Sequence, residues 1–348
     1  MENHEKYMKR CLQLAELGKG SVAPNPLVGS VLVHNGRIIG EGFHADYGGN
    51  HAEINCLDSV KEEDETLISK STLYVSLEPC NHTGQTPPCT QRIMQEGIRK
   101  VVIGMRDPSI KPRGSGSEFL RKKGVEVFGP VMEKESRWEN RIFVTVHEKH
   151  RPYVILKWAE SADGIVGRKS KDRLMITGEA TRKLVHKWRT ENDAILIGYN
   201  TALYDNPQLT SRDWPGKNAT PVLISPKLGL PRTLNIFNTG IHTLVFNVLT
   251  NDKLQDAECV KIPEENFNPE GWLQELHKRQ LSSVIVEGGA STIQRFIDSG
   301  LWDEIRVLRN SKLFAGEGVP APSGYSGKLN DKFSVENDEV SIILNEAY

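Results

Sequence analysis

The chain is 348 residues long, with 44 Lys and Arg against 45 Asp and Glu and a formal net charge of −1. That length exceeds what one hydrophobic core usually supports and points to two domains, and the balanced charge gives no broad reason to expect nucleic acid or an anionic membrane as partner. Apolar runs such as Val28 to Val33 are too short for a bilayer span, Met1 to Arg10 is too polar for a signal peptide, and 5 cysteines are too few and too odd in number for a disulfide framework, so a soluble chain in a reducing cytoplasm is expected.

In chain order, His4 to Leu17 spaces Tyr7, Met8, Cys11, Leu12, Leu14 and Ala15 as one face of a helix that stops at Gly18. Leu27 to His34 reads as a strand, Asn35-Gly36 as a type I′ hairpin turn, and Arg37 to Glu41 as the returning strand. Three helix–strand units then follow: His51 to Val60 with Thr72 to Leu77, Pro87 to Gly97 with Lys100 to Met105, and Ser115 to Lys123 with Val125 to Phe128. This order predicts a mixed α/β sheet with covering helices. The charged stretch Glu133 to Arg151, ending at Pro152, is the best boundary candidate, giving expected domains 1–148 and 149–348. A second alternating block has strands at Tyr153 to Trp158 and near Ala194 to Ile197, Val222 to Ser225, Leu244 to Phe246, Val284 to Glu287 and Ile305 to Leu308.

His51-Ala52-Glu53 is followed by Pro79-Cys80 and, after a longer loop, by Cys89. One imidazole and two thiolates around zinc leave the fourth position for water, which is a catalytic rather than a structural arrangement. His51 and Cys89 fall at expected helix starts, where the dipole lowers a thiol pKa. Glu53, two residues past His51, is placed to move protons without ligating the metal. His-x-Glu with Pro-Cys is the signature of zinc nucleobase deaminases, here with a wider cysteine spacing. Taken singly, a His at a helix start is more often a cap and a Pro-Cys marks nothing, and a structural zinc site would more naturally supply four ligands. Cys11, Cys56 and Cys259 read as packing residues. Asn25, His44, His82, Gln85, Asp107 and Ser109 are loop polar residues and candidate substrate contacts, although each alone is more often a turn former.

Ala23-Pro24-Asn25-Pro26-Leu27-Val28-Gly29, the His51 triplet, and Leu77 to Cys89 with its His82-Thr83-Gly84-Gln85-Thr86-Pro87-Pro88-Cys89 loop closely resemble the bifunctional riboflavin-biosynthesis deaminase/reductase family. In the second half the resemblance rests on Leu156 to Gly164, Ile176 to Gly178, Thr201 to Thr210 and Val286 to Ala290. It implies a cytidine-deaminase-like first domain and a dihydrofolate-reductase-like α/β second domain. The implied reactions are zinc-dependent deamination of a phosphorylated diaminopyrimidinone ribosylamine, then NADPH reduction of its ribose to ribitol, by a homo-oligomer. By position it implies cofactor contacts at Ala159, Thr201, Asp205, Ser225 and the turn Gly289, Ala290, Ser291, Thr292, Ile293, Gln294 and Arg295, and substrate contacts at Lys157, Arg189, Leu209, Arg212 and Glu287.

Independently, Gly288-Gly289 ends a buried strand and opens a helix whose free N–H groups suit a phosphate, a weak signal alone. Arg189 and Arg212 could grip a phosphate through their planar forks, though an arginine picked blindly is more often a surface charge. The chain departs from the family at Arg173 and Met175 (usually Ser and Trp), Ile224 (often Asp), Asn310-Ser311 before Lys312 (commonly Ala-Pro) and Gln85 (usually Lys or Arg). Three rivals stay in view: a deaminase whose second domain binds ligand without reducing it, an RNA-editing module, and a structural zinc protein.

Overall fold

All six residues expected to form the inner face of the first helix are buried. In the computed structural model of the chain, which describes residues 3–82, 87–109, 114–168, 174–253 and 256–346, that helix is α1 (His4–Ala15), and the Asn3 side chain caps it by accepting from the Lys6 amide at 3.1 Å. Gln85 and Arg173 lie outside the described residues. The chain divides into two compact units, Met1–Lys149 and His150–Tyr348.

The first unit continues with β1 (Gly29–His34), β2 (Arg37–Phe43), α2 (Ala52–Asp58), β3 (Thr72–Leu77), α3 (Cys89–Gln95), β4 (Lys100–Met105), α4 (Gly116–Lys122), β5 (Glu126–Phe128), α5 (Glu133–Glu139) and α6 (Arg141–Lys149). Asn35 and Gly36 take φ values of 46° and 81°, the left-handed pair that a type I′ turn demands. The 5 strands lie in the order β2-β1-β3-β4-β5. β1 is antiparallel to β2 and β3, whereas β3, β4 and β5 run parallel, as helix crossovers require. The alternation along β1 divides the core: Val31 and Val33 pack with Tyr7, Met8 and Cys11 of α1, and Leu32 packs with Cys56 and Leu57 of α2.

Two differences from the sequence reading stand out in this unit. The 3-10 helix Glu62–Lys70 was not expected, since its run of acidic residues has no apolar stripe. The Glu133 to Arg151 boundary stretch is itself folded as α5 and α6, because its charges cover a buried seam of Ser136, Asn140, Val144 and Thr145. Asn140 clasps the Leu27 backbone, accepting from its N–H at 2.8 Å and donating to its carbonyl at 3.0 Å.

The second unit comprises β6 (Tyr153–Ser161), β7 (Ile165–Gly167), α7 (Glu179–Thr190), β8 (Ala194–Gly198), α8 (Tyr199–Asp205), β9 (Thr220–Ile224), β10 (Thr243–Asn247), β11 (Ala257–Lys261), α9 (Pro269–Lys278), β12 (Ser283–Val286), α10 (Ala290–Ser299), β13 (Glu304–Asn310), β14 (Val319–Pro320), β15 (Gly327–Val335) and β16 (Asp338–Asn345). Its 9-stranded sheet has the order β11-β10-β9-β8-β12-β6-β13-β16-β15. It is parallel from β11 to β13 and closes with the antiparallel hairpin β15–β16. Asp303, fully buried, fixes the entry of the chain: it accepts from Arg151 at 2.6 and 2.7 Å and from the Val154 amide at 2.8 Å. The sequence reading missed β7, β11, β14 and the terminal hairpin. No helix among the described residues is long and apolar enough to cross a membrane.

Close backbone approach at Gly42 seats α2 on the sheet. A Cβ there would meet the Cys56 amide nitrogen, Asn55 C at 2.6 Å and Ala52 O at 2.7 Å, all of them backbone. We expect Gly42→Ala to lower the unfolding free energy of the first unit by about 1–3 kcal/mol, the usual cost of overpacking. Urea denaturation of the full chain checks this, and an unchanged midpoint for the first unit would mean that α2 yields without cost.

Candidate functional site

His51 is the N-cap residue of α2 and Cys89 is the first residue of α3, while Cys80 sits in the loop after β3. The three come together because β2 and β3, both antiparallel to β1, run in the same direction and deliver their following loops to one edge of the sheet. His51 Nδ1 lies 3.2 Å from Cys89 Sγ and 3.4 Å from Cys80 Sγ, and the three ligand atoms all fall within 4.8 Å of one another. The Cys89 amide donates to Cys80 Sγ at 3.3 Å. Hydrogen bonding from the Cys89 thiol, and then from His51 and that amide, holds the Cys80 thiol far below its usual value, at about 4 despite its burial. A readily formed thiolate, a second thiol and an imidazole are the donors zinc takes, so these residues fit a zinc ion.

Glu53, in the first turn of α2, is 4% exposed, and its carboxyl is pushed up to about 7 by burial and then by the Cys80 charge. It opens onto a pocket shared with Asn25, His44, His82, Asp107 and Ser109, the substrate contacts expected in the first unit that lie among the described residues. Burial lowers the pKa of His44 and favours its neutral form. Its Nδ1–H donates to the Asn50 carbonyl at 2.9 Å, so its Nε2 accepts from the Asn25 amide at 3.0 Å. Asn25 is thus more than a turn residue: it is fixed with its side chain in the pocket. Glu78 and Phe143 also line it and were not singled out from the sequence. Glu78 is one residue within the Leu77 to Cys89 stretch that carries the family resemblance, and nothing in the charged segment around Phe143 marks that residue.

In the second unit, the carboxyl ends of β6, β8, β9 and β12 gather most of the residues expected to hold the cofactor and the sugar. Gly289 has φ +63° at the N-cap of α10, and a Cβ there would stand 3.2 Å from Thr201 Oγ1 and 3.9 Å from Thr292 Oγ1. Ser225, directly after β9, is buried with no hydrogen-bond partner for its Oγ. A bare glycine cradle at a helix start and an orphaned hydroxyl just past β9, two strands away in the same sheet, suit a pyrophosphate-bearing cofactor. Ile224, one of the departures from the family, is part of the apolar core, and Met175, another, is exposed.

Glu287 follows β12 and bonds two of the other expected substrate residues. It accepts from Arg189 Nε and Nη2, both at 2.8 Å, and from Lys157 Nζ at 3.4 Å. Arg189 Nη1 donates to the Thr210 carbonyl at 3.0 Å. The Arg189 fork therefore serves inside the protein, while Arg212 is exposed, donating to Thr210 Oγ1 at 3.4 Å. Leu209 is buried in the left-handed region at φ 58°, an unfavourable conformation for leucine that the surrounding loop imposes. Asn310 replaces a rigid Ala-Pro pair by hydrogen bonds: its Oδ1 accepts from the Lys312 and Leu313 amides, each at 3.0 Å, and its Nδ2 donates to the Ile176 carbonyl at 2.7 Å.

Burial pushes the Glu287 carboxyl up, but the charges of Arg189 and Lys157 outweigh it and leave it at about 2. A folded-state value below the unfolded one stabilises the protein above the unfolded pKa of about 4.5, and the gain is lost as pH falls toward 2. The shift corresponds to about 3 kcal/mol. We expect Glu287→Gln to destabilise the second unit near neutral pH, and the gap to wild type to shrink as the pH is lowered below about 4.5. Urea titrations at several pH values measure this, and a gap independent of pH would show that the carboxylate charge is not what holds the cluster.

Comparison with known proteins fits this geometry. Residues 1–105 match the cytidine and deoxycytidylate deaminase zinc-binding region, and residues 152–342 match the RibD C-terminal domain. The riboflavin biosynthesis protein RibD of Aquifex aeolicus is 37% identical over 323 residues, covering 91% of this chain and 89% of its own. That of Escherichia coli is 32% identical, covering 90% and 89%. Among solved structures, the Thermotoga maritima diaminohydroxyphosphoribosylaminopyrimidine deaminase/5-amino-6-(5-phosphoribosylamino)uracil reductase aligns over 98% of both chains with a TM-score of 0.87 and 35% identity. Acinetobacter baumannii RibD, form 1, aligns as fully, with a TM-score of 0.87 and 29% identity. With relatives this similar over nine-tenths of its length, a zinc-binding deaminase region followed by the RibD reductase domain, and mixed α/β sheets in both units, the chain belongs to the RibD family of bifunctional riboflavin-biosynthesis enzymes.

Proposed function

We propose that the first unit hydrolytically deaminates 2,5-diamino-6-ribosylamino-4(3H)-pyrimidinone 5′-phosphate and that the second reduces the ribosyl group of the product to ribityl with NADPH. The observation that carries this reading is the convergence of His51, Cys80 and Cys89 on one point at the wall of the pocket that Glu53 enters. His51, Cys80 and Cys89 would hold a zinc ion, which when bound would supply Lewis acidity toward the attacking water. Glu53 accepts the proton of the attacking water at its carboxylate and returns it to the departing amine, which its burial beside the pocket favours. Asn25, His44, His82, Asp107 and Ser109 orient the pyrimidine, and Phe143 provides apolar wall.

In the second unit, Ala159, Thr201, Asp205, Ser225 and the Gly289 to Arg295 turn would hold NADPH, which supplies the hydride. The protein places the sugar against it and excludes water. Lys157, paired with Glu287 at 3.4 Å, is placed to assist as the sugar ring opens, as is Glu287 through water. Arg189 fixes Glu287, Leu209 lines the site, and Arg212 is the arginine left to meet the phosphate.

Mass spectrometry of products from the diamino substrate tests both halves: the deaminated ribosyl product is expected without NADPH and the ribityl product with it. No further conversion on adding NADPH would leave the second unit a binding domain. We further expect Cys80→Ala and Cys89→Ala each to lose the zinc, while Glu53→Gln keeps it and slows deamination by about a hundredfold or more. Metal analysis alongside single-turnover rates decides this, and wild-type turnover in Glu53→Gln removes Glu53 from the mechanism.

A further inference from the structure

Glu78 is a buried carboxylate two residues before Cys80, and both of its oxygens are in use. Oε1 accepts from the Ser115 hydroxyl and from the Ser117 amide at 2.9 Å, gripping the start of α4. Oε2 accepts from the Asp107 amide at 3.3 Å. Asp107 in turn uses Oδ1 to accept from the Ser109 amide at 2.8 Å and the Ser109 hydroxyl at 2.6 Å. Glu78, Asp107 and Ser109 all line the pocket that Glu53, His51 and Cys80 also line. The segment carrying Glu78 has little room to shift: a Cβ on Gly116 would overlap the Pro79 carbonyl oxygen and stand 3.0 Å from Pro79 C, so the start of α4 rests on the backbone between Glu78 and Cys80.

We propose that Glu78 is a positioning residue for substrate in the deaminase site. It ties the turn that carries Asp107 and Ser109 to the same short segment that carries the metal ligand Cys80, so that the groups orienting the pyrimidine nucleotide and the centre that attacks it keep one fixed spacing. The inference rests on the deaminase reading above. An acid whose only task was to cap α4 would be satisfied through Oε1 alone; the second oxygen, spent on the far wall of the pocket, has the geometry of a brace. It acts through Asp107 and Ser109, without touching the reacting atoms.

The test uses the full, zinc-loaded chain. Glutamine is isosteric but its amide nitrogen cannot accept, so Glu78→Gln can keep the α4 contacts and lose the link to Asp107. We expect KM for deamination to rise about tenfold with kcat within about twofold, because the lost bond serves binding geometry. Zinc content and NADPH-dependent reduction of the deaminated substrate should stay at wild-type levels. Ser109→Ala should raise KM as well, and the double variant should raise it by less than the product of the two single effects, since both act through one chain of contacts. Should Glu78→Gln fold poorly, Asp107→Ala, which keeps the backbone link to Glu78 but removes the carboxylate that holds Ser109 and faces the pocket, is expected to raise KM by at least as much. A wild-type KM in these variants, a loss confined to zinc or to kcat, or fully independent effects in the double variant would overturn the proposal. Those outcomes are distinct from failure of the deaminase reading itself, in which the unaltered chain would not release ammonia from the diamino substrate.

Discussion

The close approach of glycine backbone to a neighbouring element is the constraint from which both functional regions follow. α2 can rest on β2 only because Gly42 has no side chain, and that contact sets where His51 and Glu53 emerge. In the second unit, a Cβ on Gly288 would collide with Ile197 at 2.5 to 2.7 Å, so the turn after β12 presses against β8 and brings Gly289 beside Thr201. Fixing helices against strands at this range removes the freedom that would otherwise loosen a catalytic constellation. The ligand atoms of His51, Cys80 and Cys89 come from three separate elements, and packing this close keeps them within 4.8 Å.

The parts of the fold that were legible in the sequence are those governed by local periodicity. The α1 face, the Asn35-Gly36 turn and the strands Thr72–Leu77 and Lys100–Met105 each carry their pattern in a few adjacent residues. The clustering of His51, Cys80 and Cys89 and the polar residues that line the pocket beside them could be anticipated for a different reason: their residue types are rare enough in combination to stand out. Elements without either signal were missed. β15 is almost wholly exposed, and β7 and β14 are short enough that no period develops. β11 mixes Glu258 and Lys261 with buried residues, which hides its alternation.

Long-range pairing explains the remaining gap. Arg189 reads as a surface charge or a phosphate ligand from its neighbours in the chain, and only the fold reveals Glu287, 98 residues away, as its partner. Buried charges need such partners, because an unpaired one would cost several kcal/mol. Glu78 was overlooked for the same reason, as its partners at Asp107, Ser115 and Ser117 come from other elements. Departures from the family behave similarly. Asn310 looks like a loss of rigidity where Ala-Pro is usual, yet its side chain binds two backbone amides and a carbonyl and restores the turn by other means.

The terminal hairpin has a colloidal consequence. A sheet of 9 strands with an exposed last strand offers a row of free backbone groups to any other extended chain, the geometry by which proteins aggregate edge to edge. β15 carries Lys328, Asp331 and Lys332, and its pairing with β16 is broken by an irregularity between Leu329 and Asp331. Mixed charge and a kink make that edge a poor template for an incoming strand. The polar character that hid β15 in the sequence is the same property that lets so wide a sheet end in water.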